Sequence, residues 1–217
     1  MILLEYGSVL LRGLGITLWI SWLALLLAAI IGAIVGIGRT SKSWQIRLVA
    51  HAYTEFFRSI PTLVQLFLVY YGITFVFDIN LSPFAAATIA LGAEGSALMS
   101  EVVRGGIQSV GSGQKEAGLS SGLKTWQVEL YIVWPQAIRV MIPPAVGVYV
   151  STLKASALTS IIGYVELMQT GLFIRETVRG GPEGFTILIA VAVLYVIVNF
   201  TISQFAAMIE RRTSFVH

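Results

Sequence analysis

Two ionisable side chains lie inside long apolar stretches, where a charge is hardest to keep. Glu94 falls within the run Phe84 to Val103, and Lys154 within the run Val140 to Ile162. A charged group at the centre of a bilayer costs about 3 kcal/mol on insertion scales, so such residues face a wet cavity or a partner. Counting roughly 1.5 Å per residue inward from Phe84 puts Glu94 near mid-membrane, with Lys154 somewhat further out. Two roles fit that depth. Glu94 pairs with Lys154 and ties two helices together, or it faces a path and meets the ammonium group or cationic side chain of a passing solute. Glu101 and Arg104, at the inner end of the same run, are three apart and share a helix face, so they neutralise one another.

Other chemistries are excluded by what the sequence lacks. No phosphate loop of the form G-x-x-x-x-G-K-[ST] is present, and Gly122-Leu123-Lys124-Thr125 lacks its first Gly and the Gly-Lys step. The chain therefore does not hydrolyse ATP itself. H-E-x-x-H is absent and Asp78 is the only Asp, which argues against an intramembrane metalloprotease. With no Cys there is neither a disulfide nor a thiolate metal site, and a net charge of +3 is too small to suggest nucleic acid. His51, without a partner residue, reads as a polar group near the membrane surface.

The third chemically distinctive stretch is polar. Gly113 to Pro135, GQKEAGLSSGLKTWQVELYIVWP, interrupts apolar sequence on both sides. Ser112 or Gly113 can cap a helix and Gly122 can end it, which predicts a short helix over about 113–122. Two turns cannot offset the cost of nucleation, so this helix must pack against something. Ala117, Gly118, Ser120 and Ser121 are small enough for another backbone to approach, and Glu116 suits the positive end of the helix dipole.

The elements that must position these groups are membrane spans. At 217 residues, 56% hydrophobic and 12% charged, the chain is too apolar for an ordinary soluble domain and reads as an all-α polytopic membrane protein. Five spans are expected, over about 14–38, 60–76, 84–103, 140–162 and 185–208. In the first, Ala28, Gly32 and Gly36 recur every fourth residue, which would let a neighbouring helix approach, within the subunit or across a pair; the abundance of Gly and Ala in membrane helices explains them equally well. Pro61 predicts a bend at the start of the second span. Ser82-Pro83 reads as a cap followed by a first-turn proline, and Gly163 to Gly184 as an outer connection with room for one short helix. Arg39, Lys42, Arg47, Arg104, Lys115, Lys124, Arg139, Arg211 and Arg212 fall on one side of this arrangement, against Arg12, Arg175 and Arg179 on the other. The positive-inside rule then puts the N-terminus outside, and the C-terminus and the polar stretch in the cytoplasm.

Read as a pattern, Glu116-Ala117-Gly118, three residues, Gly122, nine residues and Ile132-Val133-Trp134-Pro135 resembles the E-A-A, x3, G, x9, I-x-L-P signature of membrane subunits of ATP-binding-cassette importers. Gly118 and Trp134 depart from it, where Ala and Leu are usual. The resemblance extends over about residues 10 to 212. Gly13-Leu14-Gly15-Ile16-Thr17-Leu18, Phe57-Arg58-Ser59-Ile60-Pro61, Ser100-Glu101-Val102-Val103-Arg104-Gly105-Gly106-Ile107 and Pro135-Gln136-Ala137-Ile138-Arg139 are similar to the polar amino acid permease branch of histidine, glutamine, arginine and cystine type. It implies a single transmembrane domain in the bacterial inner membrane. In it, Glu116, Ala117, Gly118, Gly122, Ile132 and Pro135 form a coupling segment for a separate ATPase subunit that binds the ATP. It further implies a second permease subunit, the same or a similar chain, an extracytoplasmic solute-binding protein and an amino acid substrate. Arg58, Glu94, Lys154 and Ser156 become candidates for the substrate path. Lys154-Ala155-Ser156-Ala157-Leu158 stands where the family often has Lys-Asp-Thr-Ser-Leu, a change that bears on substrate identity.

The rival readings are half of an inverted-repeat secondary transporter or channel, with Glu94 as its ion site, and a purely structural membrane subunit. A secondary carrier has no use for a docking helix at cytoplasmic depth, and no motif supports the structural subunit.

Overall fold

The computed structural model describes residues 2–178 and 181–213, with side chains for 5–178 and 181–208. The side chains of Arg179, Arg211 and Arg212, on which the orientation expectation partly rests, lie outside the described residues. Every element among the described residues is helical: α1 (Ile2–Arg39), α2 (Trp44–Ser59), α3 (Thr62–Phe77), α4 (Pro83–Ser109), α5 (Ser112–Ser120), α6 (Thr125–Ile162), α7 (Leu167–Thr177) and α8 (Gly181–Thr213).

α4 is the centre around which the rest is laid, and small residues are the reason. A Cβ added at Gly32 of α1 would stand 2.6 Å from Met99 Cβ and 2.8 Å from the Ser96 carbonyl oxygen. At Gly36 it would stand 2.6 Å from Val103 Cβ and 2.8 Å from the Ser100 carbonyl oxygen. The face carrying Ala28, Gly32 and Gly36 therefore packs within the subunit, onto α4, at a separation only glycine permits. The hydroxyls of the same two serines meet another helix. Tyr53 Oη lies 2.6 Å from Ser96 Oγ, and Thr54 Oγ1 lies 2.9 Å from Ser100 Oγ. Ser82 Oγ accepts the Ala85 N–H at 3.2 Å and Pro83 occupies the first turn, so α4 begins where its cap residues dictate.

Three of the helices, Glu5–Arg39, Thr125–Ile162 and Gly181–Met208, are each long and apolar enough to cross a membrane by themselves. α4 is less apolar, and its packed side is made of small residues: Ala86, Ala87, Ala90, Gly92, Gly95, Ser96, Ala97 and Ser100 are all buried.

Two local outcomes differ from expectation. The stretch between the first two expected spans forms the 16-residue helix α2. Its axis turns by 101° into α3, so Pro61 marks a full break rather than a bend within one span. The break strands carbonyls, and one side chain recovers them: Gln65 Nε2 donates to the Phe57 oxygen at 2.7 Å and to the Ile60 oxygen at 2.9 Å. The helix that carries the fourth expected span also starts well before Val140. α6 runs from Thr125 through a π-helical stretch at Glu129–Val133, an α-helical stretch at Trp134–Ala155 and a 3₁₀ turn at Ser156–Ile162. Pro143 and Pro144 remain inside it.

Candidate coupling surface and translocation path

α5 spans Ser112–Ser120, close to the expected 113–122, with Gly111 rather than Ser112 or Gly113 as its N-cap. Its C-terminal end is a Schellman arrangement. Gly122 takes φ +86°, the Leu123 N–H donates to the Gly118 oxygen at 3.2 Å, and the Gly122 N–H to the Leu119 oxygen at 3.0 Å. A side chain at that φ is strained, which is the physical use of glycine at position 122.

The signature residues divide into two sets. Glu116 and Ala117 are exposed, as are Gly122 and Pro135. Gly118 is buried, and a Cβ there would stand 2.6 Å from Ile132 Cδ1 and 3.0 Å from Val128 Cγ2. Gly118 and Ile132 therefore hold α5 against α6 of the same chain. The expectation that Gly118 itself offers room to a docking partner is corrected: its smallness is spent on internal contact. The close atom is the tip of a flexible side chain, so a small shift of Ile132 would admit the alanine usual at this position. Lys115 Nζ lies 3.5 Å from Glu129 Oε1 and adds a second tie between α5 and α6. Together these contacts present a two-turn polar helix whose free face carries Glu116 and Ala117.

The four candidate path residues do not converge on one another. Glu94 is half-buried on α4, and Thr62 Oγ1 at the start of α3 donates to its Oε1 at 2.7 Å. Lys154 is exposed, and no ion pair joins it to Glu94 among the described residues. Of the two roles open to Glu94, the tie to Lys154 is not made among the described residues, and a hydroxyl meets the carboxylate instead. Ser156 is buried, with its Oγ donating to the Leu153 oxygen at 2.8 Å. Arg58 belongs to an ionic cluster at the inner end of α4: its Nη1 lies 3.2 Å from Glu101 Oε1 and 3.6 Å from Glu55 Oε1. The same Glu101 oxygen takes Arg39 Nη2 at 2.8 Å, and Arg104 Nη2 sits 2.8 Å from the other oxygen. The expected Glu101 to Arg104 pair is thus one arm of a larger cluster in which one carboxylate meets three guanidinium groups.

One buried carboxylate escaped sequence reasoning. Glu166 caps α7 in the stretch expected to be an outer connection, yet it is fully buried. Its Oε1 accepts the Gln169 N–H at 2.9 Å, and its Oε2 accepts Tyr195 Oη at 2.7 Å and lies 3.2 Å from Thr17 Oγ1. Thr17 Oγ1 in turn accepts the Leu167 N–H at 3.0 Å. This node joins α1, α7 and α8. Nothing local in Tyr164-Val165-Glu166 signals burial, because the closing residues come from the first and last helices.

Comparison with known proteins follows the same lines. The family model for binding-protein-dependent transport system inner membrane components matches residues 28–215. The glutamine transport system permease protein GlnP of Escherichia coli strain K12 is 34% identical over 204 residues, which cover 94% of this chain and 92% of that protein. The probable glutamine ABC transporter permease protein GlnP of Bacillus subtilis is 33% identical over 208 residues, covering 96% and 95%. Among solved structures, an amino acid ABC transporter crystallised with histidines superimposes with a TM-score of 0.89 at 32% identity, over 97% of this chain and 96% of that one. The MetNI methionine ABC transporter shares the fold, with a TM-score of 0.81 at 20% identity. Helix order, the clasped polar helix and these likenesses agree: the chain belongs to the family of binding-protein-dependent transport system inner membrane components.

Proposed function

We propose that this chain is the permease subunit of an ATP-driven importer that carries a polar amino acid inward, with Glu116 and Ala117 on α5 as the face that docks on a separate ATPase subunit. It is a transport subunit and not an enzyme. The observation that carries the docking reading is the division of the signature: Gly118 and Ile132 secure α5 on α6, which leaves Glu116 and Ala117 outward on a helix too short to stand alone. A secondary carrier would have no reason to hold such a helix in place. Glutamine-type cargo is supported by the names of the two permeases above, and Glu94 is the residue of the path best suited to a cationic or ammonium group.

In this reading two permease subunits, of this chain or of this chain and a similar one, enclose the path, with a solute-binding protein on the N-terminal side of the membrane. The test uses vesicles holding the permease, its ATPase and its binding protein, and follows ATP-dependent uptake of glutamine, histidine and arginine. Ala117→Trp should lower co-purification of the ATPase and uptake by about tenfold, an interface cost near 1.4 kcal/mol. Normal values for both would end the docking assignment, and failure of every amino acid to enter through the unaltered complex would end the cargo assignment. Orientation has its own measurement, because the chain has no cysteine. Ser8→Cys should react with an impermeant thiol reagent only from outside the cell and Ser120→Cys only from inside; the reverse pattern would invert the topology.

A further inference from the structure

The ionic cluster at the inner end of α4 borders a cavity that neither docking nor the path uses. It has a volume of about 440 Å³ and is lined by Arg39, Trp44, Arg47, Leu48, His51 and Arg104. That size lies within the range of small-ligand sites, roughly 300–1,000 Å³. Its walls come from the end of α1, the outward side of α2 and the last turns of α4. Arg39 is 7% exposed in its side chain, so its charge is fixed in the wall rather than free in solvent. Arg47 has no carboxylate within ion-pair distance among the described residues, and its Nη1 donates to the backbone oxygens of Ser41 at 3.0 Å and Lys42 at 3.3 Å. Glu101 is shared among Arg39, Arg58 and Arg104, and Glu55 meets only Arg58, which does not line the cavity. The wall of this open cavity therefore carries more guanidinium groups than carboxylates.

We propose that this cavity holds the phosphate of an anionic phospholipid in the leaflet on the α5 side of the membrane, the inner leaflet under the orientation proposed above. The charge selects a phosphate, and the remaining walls select a lipid over a soluble anion. Arg39 ends the apolar length of α1, which puts the cavity at the depth of the headgroups. α2 turns by 101° from α3 and carries Trp44 and Leu48, 62% and 55% exposed, at the lip of the cavity. A tryptophan on a basic amphipathic helix is suited to the boundary between headgroups and acyl chains, and basic pockets between helices on that side favour anionic headgroups. A soluble phosphate would gain nothing from the apolar lip.

The experiment takes the assembled permease and ATPase complex in mild detergent and measures bound lipid by native mass spectrometry, offering phosphatidylglycerol and phosphatidylcholine at equal concentration. The unaltered complex should retain phosphatidylglycerol in preference. Arg47→Gln should weaken that preference on the order of fivefold and Arg47→Gln with His51→Gln further. Lys42→Gln, outside the cavity, should leave it unchanged. Arg47 lies outside the Glu101 ion pairs, so the variants should assemble, and recovery of the ATPase with each variant checks that. Equal retention of the two lipids would overturn the proposal. So would a loss with Lys42→Gln as large as with Arg47→Gln, which would reduce the effect to general surface charge. Displacement of phosphatidylglycerol by millimolar inorganic phosphate would assign the cavity to a soluble anion instead.

Discussion

Glu94 and Glu166 are both carboxylates held within an apolar protein, and they are treated in opposite ways. Glu166 is fully buried and receives Gln169, Tyr195 and Thr17, three groups from three separate elements. Glu94 is half-buried and receives Thr62 on one oxygen, with the remainder of the group left to its surroundings. A carboxylate whose acceptor positions are filled by the protein has little left to offer a ligand and serves to fix the fold. One that keeps acceptor capacity in reserve can take a further partner. The extent of satisfaction, more than depth or charge, separates the two.

The comparison can be broken at either end. Glu166→Leu should have the largest effect, destabilising the chain by about 3 kcal/mol because Tyr195 and the Gln169 N–H lose their acceptor in a buried place. A thermal unfolding profile in detergent matching that of the unaltered chain would show that the node contributes nothing. Tyr195→Phe removes one donor and leaves the others, so about 1 kcal/mol is expected in the same measurement. A loss as large as that of Glu166→Leu would mean the phenol, not the carboxylate, organises the three helices. Glu94→Gln keeps shape and an acceptor for Thr62, so the melting profile should change least, by under about 1 kcal/mol, while uptake falls about tenfold or more. Unfolding of the variant with normal residual uptake would make Glu94 a second structural node and erase the contrast.

How much was legible from the residues alone follows from the range of the interactions. The short polar helix could be read because its determinants are local: a left-handed glycine at 122, small residues at 117 and 118, and apolar flanks at fixed distance. That Gly118 faces Ile132 was beyond reach, since the spacing is the same whether the small residue admits a partner or its own chain. The stripe of Ala28, Gly32 and Gly36 was equally ambiguous until Met99 and Val103 appeared opposite it. α2 was missed because Arg47, His51 and Glu55 make its hydropathy that of a loop, although Ala50 and Thr54, four apart, are its buried face. Glu166 was missed because its partners lie 149 and 29 residues away.

The clasp between α5 and α6 has a mechanical consequence. α6 is helical without a gap over 38 residues, from Thr125 beside α5, through the π-helical stretch at Glu129–Val133 and the prolines Pro143 and Pro144, to the 3₁₀ turn at Ser156–Ile162. Because Gly118 seats against Ile132 and Lys115 reaches Glu129, a displacement applied to α5 bears on the π-helical stretch near the start of α6. α6 is capped by Gly163, which takes φ +80° three residues before Glu166. The Gly163, Tyr164 and Glu166 N–H groups donate here to the Ser160, Thr159 and Tyr164 oxygens at 3.0, 3.2 and 3.1 Å, so the end of α6 is tied directly to the buried Glu166 node.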